Sequence, residues 1–376
     1  MRDVPRGVTR YRSSDGWADC FQDAGKKACC CLLPRITFLC VPLEQKGKCS
    51  SVRMAEEEYM PELPEVETVA RTLAPQICGR RIMSVEAMND GTWQGLTRAA
   101  CVAERHPVIR GTGRRGKLLL LYLADVAGEG CLPDPAAEIA VPSAASCWPL
   151  FYNGREAERG RPPLCGEHPD DMTALAFHLR MTGRLFVYPP EMEAQTHTRV
   201  VFTLDDGRKL FFDDARKFGQ VRALCSRELE AWKFWRDLGP EPLEMSDDDF
   251  VARLSSGASV KSLLLNQSVV AGVGNIYADE SLFRAGIRPD VPGRRLSAER
   301  LARLHRALVE ILLEAIRECG SSIRDYRTAR GDVGAFQNRF RVYGRSGESC
   351  TICGQRLVSA RVAGRGTVWC PHCQKG

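Results

Sequence analysis

Four cysteines near the end of the chain form two close pairs, and their spacing is the most specific chemical pattern in the sequence. Two residues separate the members of each pair and sixteen separate the pairs, which are Cys350, Cys353, Cys370 and Cys373. Two such pairs with a spacer of this length are typical of a Zn²⁺ ion held by four thiolates, with no open position for catalysis. Four free thiols or two redox pairs are the alternatives, and the spacing favours one structural zinc ion over both.

A proline that follows a methionine could act as a nucleophile. Once Met60 is removed, Pro61 carries a secondary amine, and the pKa of a terminal amine is about 8. Such an amine can attack the aldehyde carbon of a sugar and form an iminium ion, which draws electrons from the neighbouring carbon and eases elimination of a β-phosphate. The alternative is a proline that opens a helix, and the residue types alone favour that alternative.

A glycine-rich loop, Val273-Gly274-Asn275-Ile276, lies between two segments whose apolar residues have helical spacing. Asn275 is a suitable N-cap, and the free N–H groups at such a helix start can bind an anion. A simple turn between two helices is the alternative, and the strength of the motif alone favours the turn.

The apolar pattern predicts the elements that position these residues. Residues 61–73 have apolar side chains at helical spacing, with Pro64 suited to the first turn. Short strand-like segments follow, and the turn at 205–207 is typical of a hairpin. The predicted strands are 82–87, 117–123, 174–177, 183–188, 198–204, 209–213 and 220–224. Strands of this length and spacing indicate a β-sandwich or a barrel.

The pattern becomes helical from residue 247, and two other segments have no clear period. The predicted helices are 247–254, 260–265, 276–285 and 297–319. Residues 125–171 are rich in Ala, Pro, Gly and Glu, and we expect them to form a surface insertion. Residues 1–59 are an appended tail, a targeting peptide or translation from an upstream start. Their eight acidic residues count against a transit peptide.

Charge is distributed unevenly along the chain. The whole chain has 53 basic and 47 acidic residues, for a net charge of +6, whereas residues 251–376 have 20 basic and 10 acidic residues. A basic C-terminal third is typical of a protein that binds a polyanion, and a solvated helix surface is an equal alternative. No uninterrupted apolar run reaches about 18 residues, so the sequence predicts no membrane span. The seventeen cysteines do not form a disulfide framework, which favours a reducing cytosol.

Seven segments of the chain occur in the order in which one known family has them. They are PELPEVET (61–68), RRGKLLL (114–120), HLRMTGRL (178–185), DDARKFG (213–219), VVAGVGNIYADESLFRAGIRP (269–289), VYGRSGESCTICG (342–354) and RGTVWCPHCQ (365–374). Together they resemble the bacterial formamidopyrimidine-DNA glycosylases. The resemblance covers residues 60–376 except for the insertion near 125–171.

The resemblance implies an α+β fold with DNA in the cleft between its domains. An N-terminal β-sandwich flanked by helices is followed by a C-terminal helix–two-turn–helix domain and a zinc-ribbon β-hairpin. The implied domains are 60–240 for the catalytic sandwich, 241–342 for the helix–two-turn–helix unit and 343–376 for the zinc finger. Residues 1–59 are then an unstructured or mis-started extension.

The resemblance also implies an activity, namely base-excision repair of oxidised purines such as 8-oxoguanine and formamidopyrimidines. The same enzyme then cleaves the abasic site by β,δ-elimination through a Schiff base, which makes it a bifunctional glycosylase and lyase. The implied partner is double-stranded DNA that contains oxidised bases or abasic sites, and the implied cofactor is one structural Zn²⁺ with no organic cofactor. The expected state is a monomer in the bacterial cytosol or nucleoid, without membrane contact.

Site residues follow from the resemblance position by position. Pro61 matches the Schiff-base nucleophile, Glu62 the general acid, and Lys117 the proton donor that also contacts a phosphate. The implied DNA contacts are Met181, Arg216, Lys217, Phe218, Lys261, Asn275 and Arg365, and the implied base pocket is formed by Glu65, Gly331, Asp332 and Phe336.

Three of the implied DNA contacts fill the gap that an extruded base leaves. Extruding a base costs a few kcal/mol of stacking and pairing, and Met181, Arg216 and Phe218 match the side chains that enter the gap. Apolarity alone would instead place Met181 and Phe218 in the core. Lys217 stands where the family commonly has arginine, which keeps the charge but loses bidentate geometry.

One departure from the family pattern concerns the nucleophile. Residues ahead of Met60 would acylate Pro61 and remove its nucleophilic lone pair, so we expect the active form to begin at Pro61. Two alternative functions stay open. One is an endonuclease VIII-like glycosylase for oxidised pyrimidines, although the segments at 63–68 and 213–219 are more similar to the purine branch. The other is an inert binder of damaged DNA in which Pro61 is never freed.

Overall fold

The computed structural model describes residues 8–13, 16–21, 60–88, 91–94, 99–124, 150–152, 157–159, 172–322 and 326–376. The chain divides into two compact units, Met1–Ala55 and Glu56–Gly376. In the first unit, strands β1 (Val8–Ser13) and β2 (Gly16–Phe21) form an antiparallel hairpin. The sequence predicts no regular structure there, but the strands contain β-branched and aromatic residues that favour extended backbone. The rest of the extension lies outside the described residues.

In the second unit, the chain enters helix α1 (Leu63–Ile77) directly after Pro61. Glu62 is the N-cap and forms a reciprocal capping box with Glu65, which satisfies free N–H groups of the first turn. The apolar face is buried as predicted. The helix continues past residue 73 and through Pro75. Ile77 lies in its last turn and is fully buried, which stabilises that turn.

Two antiparallel-rich sheets follow α1. The elements are β3 (Ile82–Ala87), β4 (Trp93–Gln94), α2 (Ala99–Arg105), β5 (Val108–Arg115), β6 (Leu118–Ala124), β7 (Leu150–Tyr152), β8 (Ala157–Arg159), β9 (Met172–His178), β10 (Gly183–Tyr188), β11 (Thr198–Leu204), β12 (Lys209–Asp214) and β13 (Gln220–Cys225). One sheet has the order β10-β12-β11-β3 and the other β4-β13-β9-β6-β5-β7-β8. The seven strands that the sequence predicts are therefore confirmed, with ends shifted by at most two residues.

The sheets pack face to face as a β-sandwich. Phe177 of β9 makes edge contacts with Phe202 of β11 and Phe212 of β12, with ring centroids 5.9 Å and 5.7 Å apart. All three side chains are fully buried, and they belong to one apolar core that also includes the inner face of α1. The helix that begins beside Pro61 is therefore fixed to the sandwich by apolar packing.

Strand β5 is absent from the prediction because its sequence, VIRGTGRR, contains two glycines and three arginines. The buried Arg114 is tolerated there because its guanidinium is paired twice. Its Nε donates to Glu67 Oε2 at 2.9 Å, and one terminal nitrogen donates to Glu241 Oε2 at 2.7 Å. These ion pairs join the end of β5 to α1 and to the segment that leaves the sandwich.

The segment expected to be a surface insertion contributes two strands. Tyr152 and Phe151 of β7 pair with β5, and β8 pairs with β7, so both extend an edge of the larger sheet. These two short strands could not be recognised in the sequence, because the Ala- and Pro-rich residues around them have no clear period. Residues 125–149, 153–156 and 160–171 lie outside the described part of the chain.

The C-terminal part is helical and ends in a β-hairpin. Its elements are α3 (Ser226–Ala231), α4 (Lys233–Asp237), α5 (Asp247–Leu254), α6 (Val260–Leu265), α7 (Asn275–Ala285), α8 (Ala298–Arg317), β14 (Val358–Val362) and β15 (Arg365–Trp369), with 3₁₀ turns at Gly293–Arg295 and Phe336–Arg339. The four predicted helices are confirmed to within two residues at each end. No helix in the described ranges has the length and apolarity needed to cross a membrane.

The segment that leads into the zinc module is tied to α7 through a buried carboxylate. Glu280 accepts hydrogen bonds from the backbone N–H groups of Arg341, Val342 and Tyr343, at 2.8 to 3.0 Å. The turn between β14 and β15 lies at Ala363 and Gly364, which both have positive φ. Positive φ at both central residues is what the mirror-image two-residue hairpin turn requires.

Candidate active site

Pro61 is buried at the start of α1, where a loop from the helical part of the chain reaches it. The backbone N–H of Leu63 donates to Gly272 O at 3.0 Å. The backbone N–H of Glu62 donates to Glu65 Oε2 at 3.0 Å, so the residue after the proline is fixed by its own helix. The predicted nucleophile therefore lies where the sandwich meets the loop 271–276.

The Glu62 carboxyl group is held by one oxygen. Its Oε1 accepts from the backbone N–H of Ile276, 3.0 Å away and 214 residues along the chain. Its Oε2 is buried and has no hydrogen-bond partner within the described residues. Burial, which outweighs the opposing effect of Lys117 and of the N–H groups of α7, raises the pKa of Glu62 to about 7, and Glu65 acts in the same direction as burial. A carboxyl group with one fixed oxygen and one unpartnered oxygen suits a general acid near neutral pH.

The glycines of the loop allow this close approach. An ideal Cβ on Gly274 would lie 2.2 Å from Glu62 Cδ, and one on Gly272 would lie 2.8 Å from Leu63 Cδ1. The N-cap of α7 is Gly274 and not Asn275, so the predicted cap is wrong by one residue. The negative group at the start of α7 is the carboxyl group of Glu62, which the helix dipole stabilises when it is ionised.

Glu65 is fully buried and its carboxylate is enclosed by donors. Oε1 accepts from Tyr277 Oη at 2.6 Å and from the backbone N–H of Ser321 at 2.7 Å. Burial raises the pKa of this group, and the hydrogen bonds lower it in part. The sequence places Glu65 in the wall of a base pocket, but its side chain faces no open space in the described structure. It joins α1, α7 and the segment after α8.

Lys117 lies in the turn before β6, where it is 8% exposed. Burial lowers its pKa, Glu62 and Glu65 act in the opposite direction, and Arg365 lowers it further. Lys117 is thus within electrostatic range of Arg365 in the zinc hairpin. It is also within electrostatic range of the two carboxyl groups, those of Glu65 and of Glu62, the residue that follows Pro61.

His178 belongs to the same region, although the sequence analysis did not single it out. It pairs with Leu118 in the sheet, directly after Lys117. Burial first, then Arg180 and Lys117, lower the pKa of His178 to about 3. Its Nδ1 accepts from the backbone N–H of Arg180 at 3.2 Å, so the neutral ring carries its proton on Nε2. A neutral imidazole is therefore available as a donor.

The predicted void-filling residues lie on two turns of the sandwich. Arg216, Lys217 and Phe218 are exposed in the turn between β12 and β13, and Met181 is half-buried in the turn between β9 and β10. Phe218 is 52% exposed, and the Arg216 guanidinium carbon lies 5.4 Å from the centre of its ring. An exposed aromatic ring stacked on an arginine is not part of a core, which excludes the apolar-core alternative for Phe218.

Lys261 does not have the position expected of a phosphate contact. It is completely buried, its Nζ lies 2.6 Å from Asp279 Oδ1, and it donates to Thr367 Oγ1 at 2.7 Å. It also donates to Gly366 O at 3.2 Å. The prediction that Lys261 contacts a DNA phosphate is therefore wrong, because a buried and paired ammonium group cannot reach DNA. Lys261 instead holds β15 against the helices.

Asn275 supports the same strand and is half-buried. Its Nδ2 donates to Gly366 O at 3.1 Å, the same carbonyl that accepts from Lys261. Arg365, the preceding residue, is exposed at the start of β15. The two side chains from α6 and α7 therefore fix the backbone beside the predicted finger contact.

The predicted base-pocket loop divides into an exposed tip and a buried base. Gly331 and Asp332 are exposed at the tip, and the backbone N–H of Thr328 donates to Asp332 O at 3.0 Å. Phe336 is only 2% exposed and packs against the ring of Tyr277 at 5.7 Å. Phe336 therefore anchors the loop in the core, and its place in the base pocket stays a prediction. Residues 323–325 lie outside the described part.

The four predicted zinc ligands converge at the end of the hairpin. Their sulfur atoms all lie within 4.8 Å of one another. The Sγ distance is 3.9 Å for Cys350 and Cys373, and 3.5 Å for Cys353 and Cys370. A tetrahedral zinc site with Zn–S bonds of about 2.3 Å separates its sulfurs by about 3.8 Å. The four thiols therefore fit one structural Zn²⁺, as predicted.

Sequence reasoning missed Tyr277 and Ser321, which fix Glu65. Tyr277 was inside a segment that the resemblance had already matched, and its fully buried hydroxyl is the available clue. A buried tyrosine hydroxyl needs a hydrogen-bond partner, and a carboxylate is the strongest one. Nothing local in the sequence indicates that this partner is more than 200 residues away.

Comparison with known proteins gives the same assignment over nearly the whole second unit. Three family models match in order: the formamidopyrimidine-DNA glycosylase N-terminal domain at residues 60–221, its H2TH domain at 238–327, and a zinc finger found in FPG and IleRS at 347–376.

Individual relatives are similar over the same region. The formamidopyrimidine-DNA glycosylase of Nitratidesulfovibrio vulgaris is 49% identical, with 84% of this chain and 100% of the relative covered. The Lactococcus lactis Fpg structure with DNA that contains an abasic site has a TM-score of 0.65 and 32% identity, covering 84% of this chain and 100% of that one. A structure of MutM with DNA that contains carbocyclic 8-oxo-G has a TM-score of 0.66 and 31% identity, with the same coverage. The chain therefore belongs to the formamidopyrimidine-DNA glycosylase family.

Proposed function

We propose that this protein is a base-excision-repair enzyme that removes oxidised purines from double-stranded DNA and then cleaves the abasic site. The observation that carries the proposal is the placement of Pro61 beside a buried carboxyl group whose pKa is about 7. The basic zinc hairpin and the exposed Arg216 and Phe218 support a DNA duplex as the substrate. Family membership supports the same reaction class.

In the first reaction, the amine nitrogen of Pro61 attacks C1′ of the damaged nucleotide. The bond from C1′ to the base breaks, and the base leaves with the bonding electron pair and takes up a proton. The sugar ring opens as its oxygen takes the proton of Glu62, and the amine loses its proton, which yields the iminium ion. The unpartnered Oε2 of Glu62 is the oxygen from which this proton can leave.

The second reaction cleaves the backbone. The iminium ion acidifies C2′, which loses a proton as the 3′-phosphate departs with its bonding electrons, and a further elimination releases the 5′-phosphate. We assign Lys117 and the neutral His178 as donors of hydrogen bonds to phosphate oxygens, and the electrostatic effect of Lys117 on both Glu62 and His178 supports this assignment. Water then hydrolyses the iminium ion and frees Pro61.

The chemistry requires that the active form begins at Pro61. An amide nitrogen has no available lone pair, so the residues ahead of Pro61 must be absent or removed. The family model begins at residue 60, and relatives covered over their whole length match only 84% of this chain. A start at Met60 followed by removal of that methionine would supply the amine, and cleavage would do so equally.

The DNA-binding surface combines the two sandwich turns with the zinc hairpin. We assign Met181, Arg216 and Phe218 to the gap in the duplex, with Lys217 and Arg365 as contacts to the backbone. Residues 60–240, 241–342 and 343–376 are the corresponding domains. The zinc ion, bound by its four thiolates, supplies no catalytic chemistry and stabilises the hairpin. We place this activity in a monomer in the bacterial cytosol or nucleoid.

Borohydride trapping tests the proposal directly. The purified protein is incubated with duplexes that contain 8-oxoguanine opposite cytosine, thymine glycol or an abasic site, and sodium borohydride reduces any iminium ion. We expect covalent adducts with the first and third duplexes, and excision of thymine glycol at a much lower rate. A preference for thymine glycol, or the absence of any adduct from protein that begins at Pro61, would contradict the proposed function.

A further inference from the structure

The two turns that carry the void-filling side chains are joined by a pair of hydrogen-bonded residues. Thr182 follows Met181 and precedes β10, and Asp214 is the last residue of β12. The strands pair so that Gly183 lies opposite Asp214. The Thr182 hydroxyl donates to Asp214 Oδ1, which connects the Met181 turn to the turn that contains Arg216 and Phe218.

Asp214 also organises the second turn. Its Oδ2 accepts from the backbone N–H of Gly219 at 2.6 Å, and its Oδ1 accepts from the backbone N–H of Arg216 at 3.2 Å. The Arg216 N–H is shared with Thr182 Oγ1 at 3.1 Å. Asp214 is 1% exposed, whereas the four residues that follow it are exposed. One buried carboxylate thus holds both ends of an exposed turn.

Both turns have a conformation that needs such support. Arg180, beside Met181, has φ +54°, and Lys217, between Arg216 and Phe218, has φ +61°. In this left-handed region the Cβ of any residue other than glycine lies too close to the following carbonyl oxygen, so the backbone is strained. Strained conformations of this kind persist only where the surrounding contacts fix them.

Close packing leaves the two turns little freedom. An ideal Cβ on Gly183 would lie 2.4 Å from Leu179 O, and one on Gly219 would lie 2.6 Å from the Phe212 ring and 3.0 Å from Asp214 Oδ2. Glycine is therefore required on both sides of the Thr182 and Asp214 pair. Asp214 is buried and Thr182 is half-buried, and the tight packing at the two glycines restricts the backbone beside both residues.

We propose that Thr182 and Asp214 are positioning residues that lock the Met181 turn to the Arg216 and Phe218 turn, so that three side chains enter the duplex as one preassembled unit. The inference rests on the proposed function, because it assumes that these side chains fill the gap. A preassembled unit loses less conformational freedom on binding than two independent turns, which favours insertion. Neither Thr182 nor Asp214 contacts the reacting atoms in this assignment.

A second threonine provides a matched control. The Thr198 hydroxyl donates to Asp213 Oδ1 at 2.7 Å and accepts from the backbone N–H of Gln195 at 2.9 Å. Thr198 is 2% exposed and begins β11. It therefore has the same hydrogen-bonding chemistry on the same sheet, but it joins no void-filling turn.

The experiment compares Thr182→Val, Thr182→Ser and Thr198→Val in the full active protein. Insertion of the three side chains into the duplex is monitored through the fluorescence of 2-aminopurine, which is placed beside a stable abasic analogue. Excision of 8-oxoguanine opposite cytosine is measured in single turnover, and cleavage of an abasic site in single-stranded DNA reports the chemistry without base extrusion. Thermal midpoints report folding.

We expect Thr182→Val to reduce the insertion amplitude and to slow duplex excision about tenfold, the effect of one lost positioning hydrogen bond. Single-strand cleavage should stay within about twofold of the original rate. Thr182→Ser should restore insertion, and Thr198→Val should lower the thermal midpoint as much as Thr182→Val without changing insertion. Combining Thr182→Val with Phe218→Ala should be no slower than Phe218→Ala alone, because both act on one unit.

Equal slowing of duplex and single-strand reactions by Thr182→Val would overturn the proposal, and so would unchanged insertion. A failure of the proposed function gives a different result, since the unaltered protein would then neither excise 8-oxoguanine nor form an adduct with abasic DNA.

Discussion

The proposed proton donor is a single carboxyl group whose two oxygens have different surroundings. Glu62 Oε1 is bound to the start of α7, while Oε2 is buried without a partner in the described part of the chain. Desolvation favours the protonated form, so the group is a proton donor at a pH where an exposed glutamate would be ionised. The two steps of the reaction should therefore differ in their need for Glu62.

Glu62→Gln should separate base excision from strand cleavage. We expect 8-oxoguanine excision to fall by about 10²- to 10⁴-fold, the usual contribution of general acid catalysis. Adduct formation with a preformed abasic site should be retained, because the open-chain aldehyde form of that sugar reacts with the amine without the proton that Glu62 gives to the ring oxygen. With Glu62 present, excision should decline as the pH rises above about 7, the pKa of its carboxyl group. Single-turnover rates between pH 6 and 9 test this, and equal losses in both reactions would argue against the assignment.

His178→Gln should change how stability depends on pH. The ring has a pKa of about 3 in the folded protein and about 6.5 in an unfolded chain. As the pH falls below about 6.5, the unfolded state takes up a proton that the folded state does not, so the unaltered protein loses stability. The variant cannot take up this proton. Its thermal midpoint should drop less between pH 7.5 and 5.5, and an equal drop in both proteins would contradict the assignment.

The loop before α7 determines whether α1 and α7 can meet. Gly274→Ala would place a methyl group 2.2 Å from Glu62 Cδ, so one of the two helices must move. We expect excision to fall by about 10²-fold, since small displacements of catalytic groups have effects of that order. Gly257→Ala is the control, because its Cβ would come no closer than 3.7 Å to Arg294. Similar activity losses in both variants would show that the contact is unimportant.

The zinc hairpin separates residues that touch DNA from residues that hold the hairpin in place. Arg365 is exposed on β15, whereas Lys261 is buried and paired with Asp279. Arg365→Ala should weaken duplex binding and reduce the slope of log affinity against log salt by about 0.9, the loss of one phosphate contact. Lys261→Met should weaken binding without changing that slope. A change of slope in Lys261→Met would mean that the lysine reaches phosphate after all.

The sequence predicted the helices and most strands because their apolar periodicity is local. Strand β5 and the pair β7 and β8 were missed because glycine, arginine and the surrounding Ala- and Pro-rich residues obscure that pattern. In the site, the family-specific segments were sufficient to predict Pro61, Glu62 and Lys117 as the catalytic residues. The burial of Lys261 and Phe336 was not predictable, because it depends on partners that only the tertiary fold brings together.

In the molecule as a whole, the basic residues are concentrated in the part of the chain proposed to bind DNA, and acidic groups are buried in the proposed active site. The acidic groups Glu62 and Glu65 are buried in the site, while residues 251–376 have twice as many basic as acidic residues. The basic part includes the zinc hairpin, whose Arg365 acts electrostatically on Lys117. A duplex attracted by the basic part is thus brought to the buried carboxyl groups, which stay protonated or paired because they are desolvated.

Both steps of the proposed reaction depend on a free amine at Pro61. The most direct measurement is peptide mass spectrometry of the protein after borohydride has trapped it on abasic DNA. We predict that the reduced sugar is attached to a peptide that begins with Pro61, with nothing ahead of the ring nitrogen. An adduct on a lysine, or an active trapped protein in which Met60 is still joined to Pro61, would contradict the account.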